Sequence, residues 1–160
     1  MAGPGLERQT SIGISAPTAV LCRKHLSLGN VLTLRVTGGS MWPSVRSGDV
    51  VRVVAVDHHR VGCIYLYVRG ERWYVHRLTG ISQSASEPVH AVFQGDALWQ
   101  TDPPVPLHAV LGQVVGIRRG ARDVPLEGPV QASLRFICRL RVFGQPVLPC
   151  AAAILGYLRS

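Results

Sequence analysis

Lysine is almost missing from this 160-residue chain: Lys24 is the only one, so 16 of its 17 cationic side chains are arginines. Arginine does not deprotonate at useful pH. A lysine general base anywhere beyond residue 24 is therefore excluded. Long apolar runs are also missing. No stretch reaches the roughly 18 apolar residues of an ordinary membrane span. The nearest, VLPCAAAILGYL (147–158), is short and interrupted by Pro149 and Gly156. The N-terminal MAGPGLERQTSIGISAP has no apolar h-region, which excludes a signal peptide. These absences predict a chain that is cytoplasmic or peripherally membrane-associated. The four cysteines, Cys22, Cys63, Cys138 and Cys150, form no CxxC pair. Cys22 and His25 are close, but no second ligand pair follows, so no metal site is expected. Free thiols in a reducing compartment are the simpler reading. No phosphate loop or dinucleotide motif is present, so no cofactor is expected.

Charge is scarce as well, at 16%, beside 47% hydrophobic residues. That balance excludes intrinsic disorder as a description of the whole and supplies one domain's worth of core. The net charge of +8 suggests an acidic partner: nucleic acid, an anionic membrane face or an acidic peptide. No nucleic-acid-binding module is recognisable, which favours the last two.

Texture divides the chain into three. Residues 1–17 read as a flexible leader rich in Gly, Ser, Thr and Pro. Residues 18–120 read as a compact, mainly β, antiparallel domain that opens with a short helix. The helix is expected over Thr18–Ser27, with Thr18 as N-cap and Gly29-Asn30 ending it. NVLTLRVTG, DVVRVVAV, CIYLYV, RWYVHRL, HAVFQ and AVLGQVVGI then read as short strands. Arg69-Gly70-Glu71 marks a hairpin turn. SQSASEP (82–88) and ALWQTDPPVP (97–106) read as loops. Residues 121–160 read as a helical tail. Within it, SLRFICRLRVF (133–143) is basic and roughly amphipathic, and the apolar 147–158 stretch follows. The tail either packs on the domain or a partner, or makes peripheral membrane contact through residues 133–158.

The chemistry concentrates in Gly38-Gly39-Ser40-Met41-Trp42-Pro43, followed by Ser47-Gly48-Asp49. Glycines allow close backbone approach, and Pro43 fixes the chain direction just after the serine. Downstream stand Tyr74-Val75-His76-Arg77, Phe93-Gln94-Gly95-Asp96, and Asp102 before Pro103-Pro104. Ser40, His76 and an aspartate would supply a nucleophile, a general base and an orienting carboxylate. Asp49 reads as a turn residue. His58 and His59 read as solvent-facing, and His90 and His108 lack a motif context. Trp42, Tyr65, Tyr67, Trp73 and Tyr74 read as core or cleft lining.

The blocks GGSMWPSVRSGDVVRV, YVHRLTGI, FQGDALWQTD and VLGQVVGI, in that order over about residues 31–118, resemble the signal peptidase family and its self-cleaving repressor relatives. The resemblance implies a signal-peptidase-like β fold and a serine endopeptidase. Many members use a Ser–Lys dyad, which this chain cannot build. Its Val75-His76-Arg77 block instead resembles the endoplasmic-reticulum, archaeal and sporulation-type members, where histidine replaces lysine. An imidazole titrates near neutrality and can serve as the base. By this resemblance Ser40 is the nucleophile, His76 the base, and Asp102 or Asp96 the orienter. Asp102 is the preferred one, with Asp96 supporting the site. Gly38, Gly39, Met41 and Pro43 would shape the substrate and oxyanion side, and the oxyanion hole would include the Ser40 N–H. The expected substrate is a peptide or preprotein leader with small residues before the cut, added as a strand to a sheet edge. A non-catalytic peptide-binding module on the same fold is the alternative. About 30 residues precede the β body, too few for a repressor's DNA-binding unit.

Overall fold

A computed structural model describes residues 11–13, 16–84 and 87–126. The 133–143 and 147–158 segments, with Cys138 and Cys150, lie outside the described residues, as does most of the expected leader. In chain order the elements are β1 (Ser11–Gly13), α1 (Ala16–Ser27), β2 (Leu32–Arg35), β3 (Val50–Val54), β4 (Ile64–Arg69), β5 (Arg72–Ser84), β6 (Glu87–Gln94), β7 (Val105–Pro106), a single 3-10 turn (Leu107–Ala109), β8 (Val110–Arg119) and β9 (Arg122–Val124). The strands form one antiparallel sheet in the order β2-β3-β8-β4-β5-β6-β7. β1 is added to β5, and β9 to β8. The fold is thus mainly β: an antiparallel sheet curled into a half-barrel with one short helix.

Period-2 alternation explains β2 and β3. In β3, Val51 and Val53 point inward while Arg52 faces solvent. The central strands are covered on both faces. Ile64, Leu66, Trp73 and Val75 join one core with Leu26, Val51, Val53 and Ile117. Tyr65, Tyr67 and Tyr74 join a second core with Leu78, Phe93 and Val105 on the other face. Register shifts at Arg52/Val53, Leu66/Tyr67 and Leu78/Gly80 raise the local twist and help curl the sheet.

Several expectations shift. α1 begins two residues before Thr18, with Pro17 tolerated in its first turn. It ends as expected at Gly29, whose φ of 80° favours glycine. Leu26 packs into the first core, and the Arg23 guanidinium reaches the His108 and Val110 carbonyls, fastening the helix to β8. The 82–88 segment is not simply a loop. β5 runs on to Ser84, β6 starts at Glu87, and Ser84 pairs with Glu87. Backbone pairing extends there beyond what a polar sequence suggests. β1 lies inside the expected leader, and β9 beyond the expected end of the β body. β1 has a physical cause: β6 covers its edge of β5 only from Arg77 onward, leaving residues 72–74 to pair with Ser11–Gly13. His59 does not simply face solvent, because its ring stacks on Tyr65 at 5.8 Å. Cys22 and Cys63 are free thiols, as expected. Among the described residues, no helix is long and apolar enough to cross a membrane.

Gly112 in β8 is required by contact. A Cβ there would stand 2.5 Å from both the Val53 side chain and the Val54 carbonyl. At Gly80 nothing lies within 4 Å of the same atom. Gly112→Ala should therefore cost about 1–3 kcal/mol through overpacking, while Gly80→Ala stays near wild type. Urea unfolding of the two variants checks this difference.

Candidate active site

The β4–β5 hairpin carries His76. Its two-residue turn, Gly70-Glu71, sets Arg69 opposite Arg72, and hence Tyr67 opposite Tyr74 and Tyr65 opposite His76. Gly70 has a φ of 61°, the left-handed value favoured at the first position of such a turn. Tyr67, Tyr74 and His76 form one aromatic cluster, with His76 about 6 Å from each tyrosine ring.

Ser40 comes from the turn after β2. Gly38 bends the chain with a φ of 93°. Trp42 N–H then donates to the Gly39 carbonyl, and Val45 N–H to that of Met41. Met41 is fully buried in the first core, so it anchors the turn from beneath. Its side chain has no open surface. Gly39 is exposed, Gly38 and Pro43 are half-buried, and the Trp42–Pro43 peptide is cis.

Ser40 Oγ lies 2.9 Å from His76 Nε2. On the other side of the ring, His76 Nδ1 lies 2.5 Å from Asp102 Oδ2. Ser40, His76 and Asp102 are 3%, 0% and 4% exposed, so the line is buried along its length. Burial alone would raise the Asp102 carboxyl. Hydrogen bonds from His76 and Tyr67 and the nearby Arg69 charge outweigh it, and hold Asp102 below its ordinary value. Asp102 is thus an ionised acceptor, which assigns the proton to Nδ1. In the neutral imidazole with that proton, Nε2 would present its lone pair to the Ser40 hydroxyl.

The two aspartates divide the work. Asp102 reaches His76, with its N–H tied to the Phe93 carbonyl at 2.7 Å. Asp96 does not reach His76. It forms a bidentate pair with buried Arg77, at 2.8 Å from Nε and 2.7 Å from Nη2, and accepts from Ser44 at 2.5 Å. Arg77 Nη1 also donates to the Gly62 carbonyl. This network clamps the 40–44 turn to β5. Gly95 lets the following turn approach, since a Cβ there would stand 2.5 Å from the Ser40 carbonyl, and Ala97 N–H donates to that same carbonyl at 2.9 Å. Asp49 is the turn residue expected of it: it accepts from the Arg46 N–H and pairs with Arg119.

Sequence reasoning missed three contributors: Ser44, Arg69 and the Tyr67 hydroxyl. Tyr67 donates to Asp102 at 2.5 Å, and Arg69 Nη1 stands 3.5 Å from the other carboxylate oxygen. The signal for Tyr67 was the hairpin itself, since the register across Gly70-Glu71 puts it diagonal to His76. Among the described residues, no group of His, Cys, Asp and Glu could hold a metal ion.

Chemically, the arrangement can activate a hydroxyl: a serine O–H on an imidazole whose far nitrogen is held by a carboxylate. A scan of protein-family models and a search of curated proteins each found no match to the chain.

Removing Asp96 would take away the carboxylate that neutralises the buried Arg77 guanidinium. Asp96→Ala should destabilise the fold by about 3–5 kcal/mol. Chemical denaturation checks this; an unchanged unfolding midpoint would show that the Arg77 pair does not hold the site together.

Proposed function

We propose that the chain is a serine endopeptidase that cuts a leader or signal-like segment from a peptide or preprotein. The observation that carries the reading is the unbroken hydrogen-bond line Ser40–His76–Asp102. The sequence resemblance to histidine-type signal peptidases supports it independently. In this reading Ser40 Oγ attacks the scissile carbonyl as His76 Nε2 takes its proton. Asp102 remains ionised and stabilises the imidazolium that forms. The Ser40 N–H faces the developing oxyanion. The tetrahedral adduct collapses, the amine leaves with the proton from His76, and an acyl ester remains on Ser40. Water then attacks the ester, giving its proton to His76, which passes it to Ser40 Oγ as the acid product departs.

Strand addition is the binding mode that fits this sheet. The β5 edge at residues 72–74, two positions before His76, already takes a short antiparallel strand, β1. A substrate segment would occupy that edge in place of β1. Further along β5, where β6 pairs with it, Thr79, Ile81, Val92, Gln94 and Thr101 line an open groove of about 300 Å³. Its mainly apolar wall suits an uncharged substrate side chain. The surplus of positive charge favours an acidic leader.

The test is cleavage of a leader-peptide set carrying small residues before the cut. Wild type should cut at one position, and Ser40→Ala should cut none. Asp102→Asn should lose on the order of 10⁴-fold in kcat, as in other triads. Folded Ser40→Ala cutting as fast as wild type would end the protease reading, and peptide binding without any cutting would favour a non-catalytic binding module. If β1 competes with substrate, deleting residues 1–13 should lower KM and leave kcat near wild type. A KM that stays put or rises would place substrate on a different edge.

A further inference from the structure

The Tyr67 hydroxyl is the only donor other than His76 on Asp102 Oδ2 among the hydrogen bonds described, and its placement is costly to arrange. The side chain is fully buried. Its ring stacks on Phe93 at 4.2 Å and 9°, and on Tyr74 at 5.5 Å and 20°. Two near-parallel neighbours fix the ring plane, and with it the direction of the C–O bond. The hydroxyl ends 2.5 Å from Asp102 Oδ2 and 3.3 Å from His76 Nδ1. Burial, and then the Asp102 charge, push the phenol far above its ordinary value, so it stays protonated and can only donate to the carboxylate. A phenylalanine would fill the same space and stack as well. The hydroxyl adds nothing to the packing; what it adds is a second point of attachment, on the same carboxylate oxygen that meets His76.

That second point matters because a carboxylate held by one imidazole alone can rotate about its Cβ–Cγ bond. Arg69 is a looser restraint. It lies 3.5 Å from Oδ1 and is engaged elsewhere, with Nη2 3.3 Å from the Tyr74 hydroxyl and the guanidinium 4.6 Å above the Tyr74 ring. We propose that Tyr67 is a positioning residue of this site, whose hydroxyl fixes the Asp102 carboxylate against His76 Nδ1. The kinetic part of this inference rests on the protease reading; the structural part does not.

Tyr67→Phe tests it in the full chain, with two readouts. The first is the downfield proton resonance of His76 Nδ1–H, which needs no substrate. It should move from its wild-type position, because its acceptor oxygen loses a competing donor. Site-specific 3-fluorotyrosine at position 67 keeps the ring and makes the phenol a stronger donor, so it should move the resonance too. It also covers the case in which Tyr67→Phe folds poorly. The second readout is cleavage of a leader peptide that wild type cuts. The kcat should fall about 10- to 100-fold, the loss typical of one hydrogen bond to a charged group, at constant KM. A merely structural role would leave the resonance unmoved. A resonance unchanged in the variants that fold overturns the proposal. Should wild type cut no peptide, the protease reading falls, while the resonance still decides the role of Tyr67.

Discussion

Gly70 and Glu71 leave no slack between β4 and β5. With two residues in the turn, Arg69 must pair with Arg72, and each pair behind them follows in step. The side-chain period of a strand is two, so a slip of one residue would send His76 to the opposite face. It would leave the tyrosine cluster for the aliphatic core, away from Asp102. Burial of both faces makes such a slip costly, because Leu66 and Val75 would trade places with Tyr67 and His76. The position of the imidazole thus depends on a turn five to six residues away, and on hydrophobic burial that holds the register.

A second constraint acts on charge. His76 and Arg77 are adjacent, and both are buried. A buried cation needs an ionised partner, and a buried imidazole needs its Nδ1–H satisfied. One carboxylate could not serve both in these directions. The 95–102 segment supplies two, and its path decides which goes where. Asp96 leaves the end of β6 at once and meets Arg77. Asp102 returns to Phe93 through its own N–H and meets His76 from the other side. The Arg77–Asp96 pair then grips Ser44, which holds the turn bearing Ser40. Packing, charge pairing and site geometry are here one set of contacts.

Much of this was legible in the residues. The six Val-, Ile- and Tyr-rich runs all became strands, and Gly70 marked the hairpin. The Ser40 and His76 blocks stand out by their residue types and their order along the chain. Other parts were not legible, for specific reasons. β1, β7 and β9 have only two or three residues, too few to show alternation. Their pairing is set by which sheet edges stay open. The choice between Asp96 and Asp102 depended on a loop path with no periodic signal. Met41 sits in the motif, but the turn drives its side chain inward. Tyr67 looked like one more core aromatic, since composition describes its ring and says nothing about the direction of its hydroxyl. That direction emerges only once strand register and ring stacking are both known.

The central claim is that Ser40 is a nucleophile activated through His76, and it can be measured without knowing the substrate. An activated nitrophenyl ester should acylate Ser40 with release of one nitrophenolate, in a burst seen by stopped flow. Peptide mass spectrometry should find the acyl group on the peptide containing Ser40, and His76→Ala should slow the burst strongly. Acylation elsewhere, or a burst equally fast in folded His76→Ala, would contradict the account.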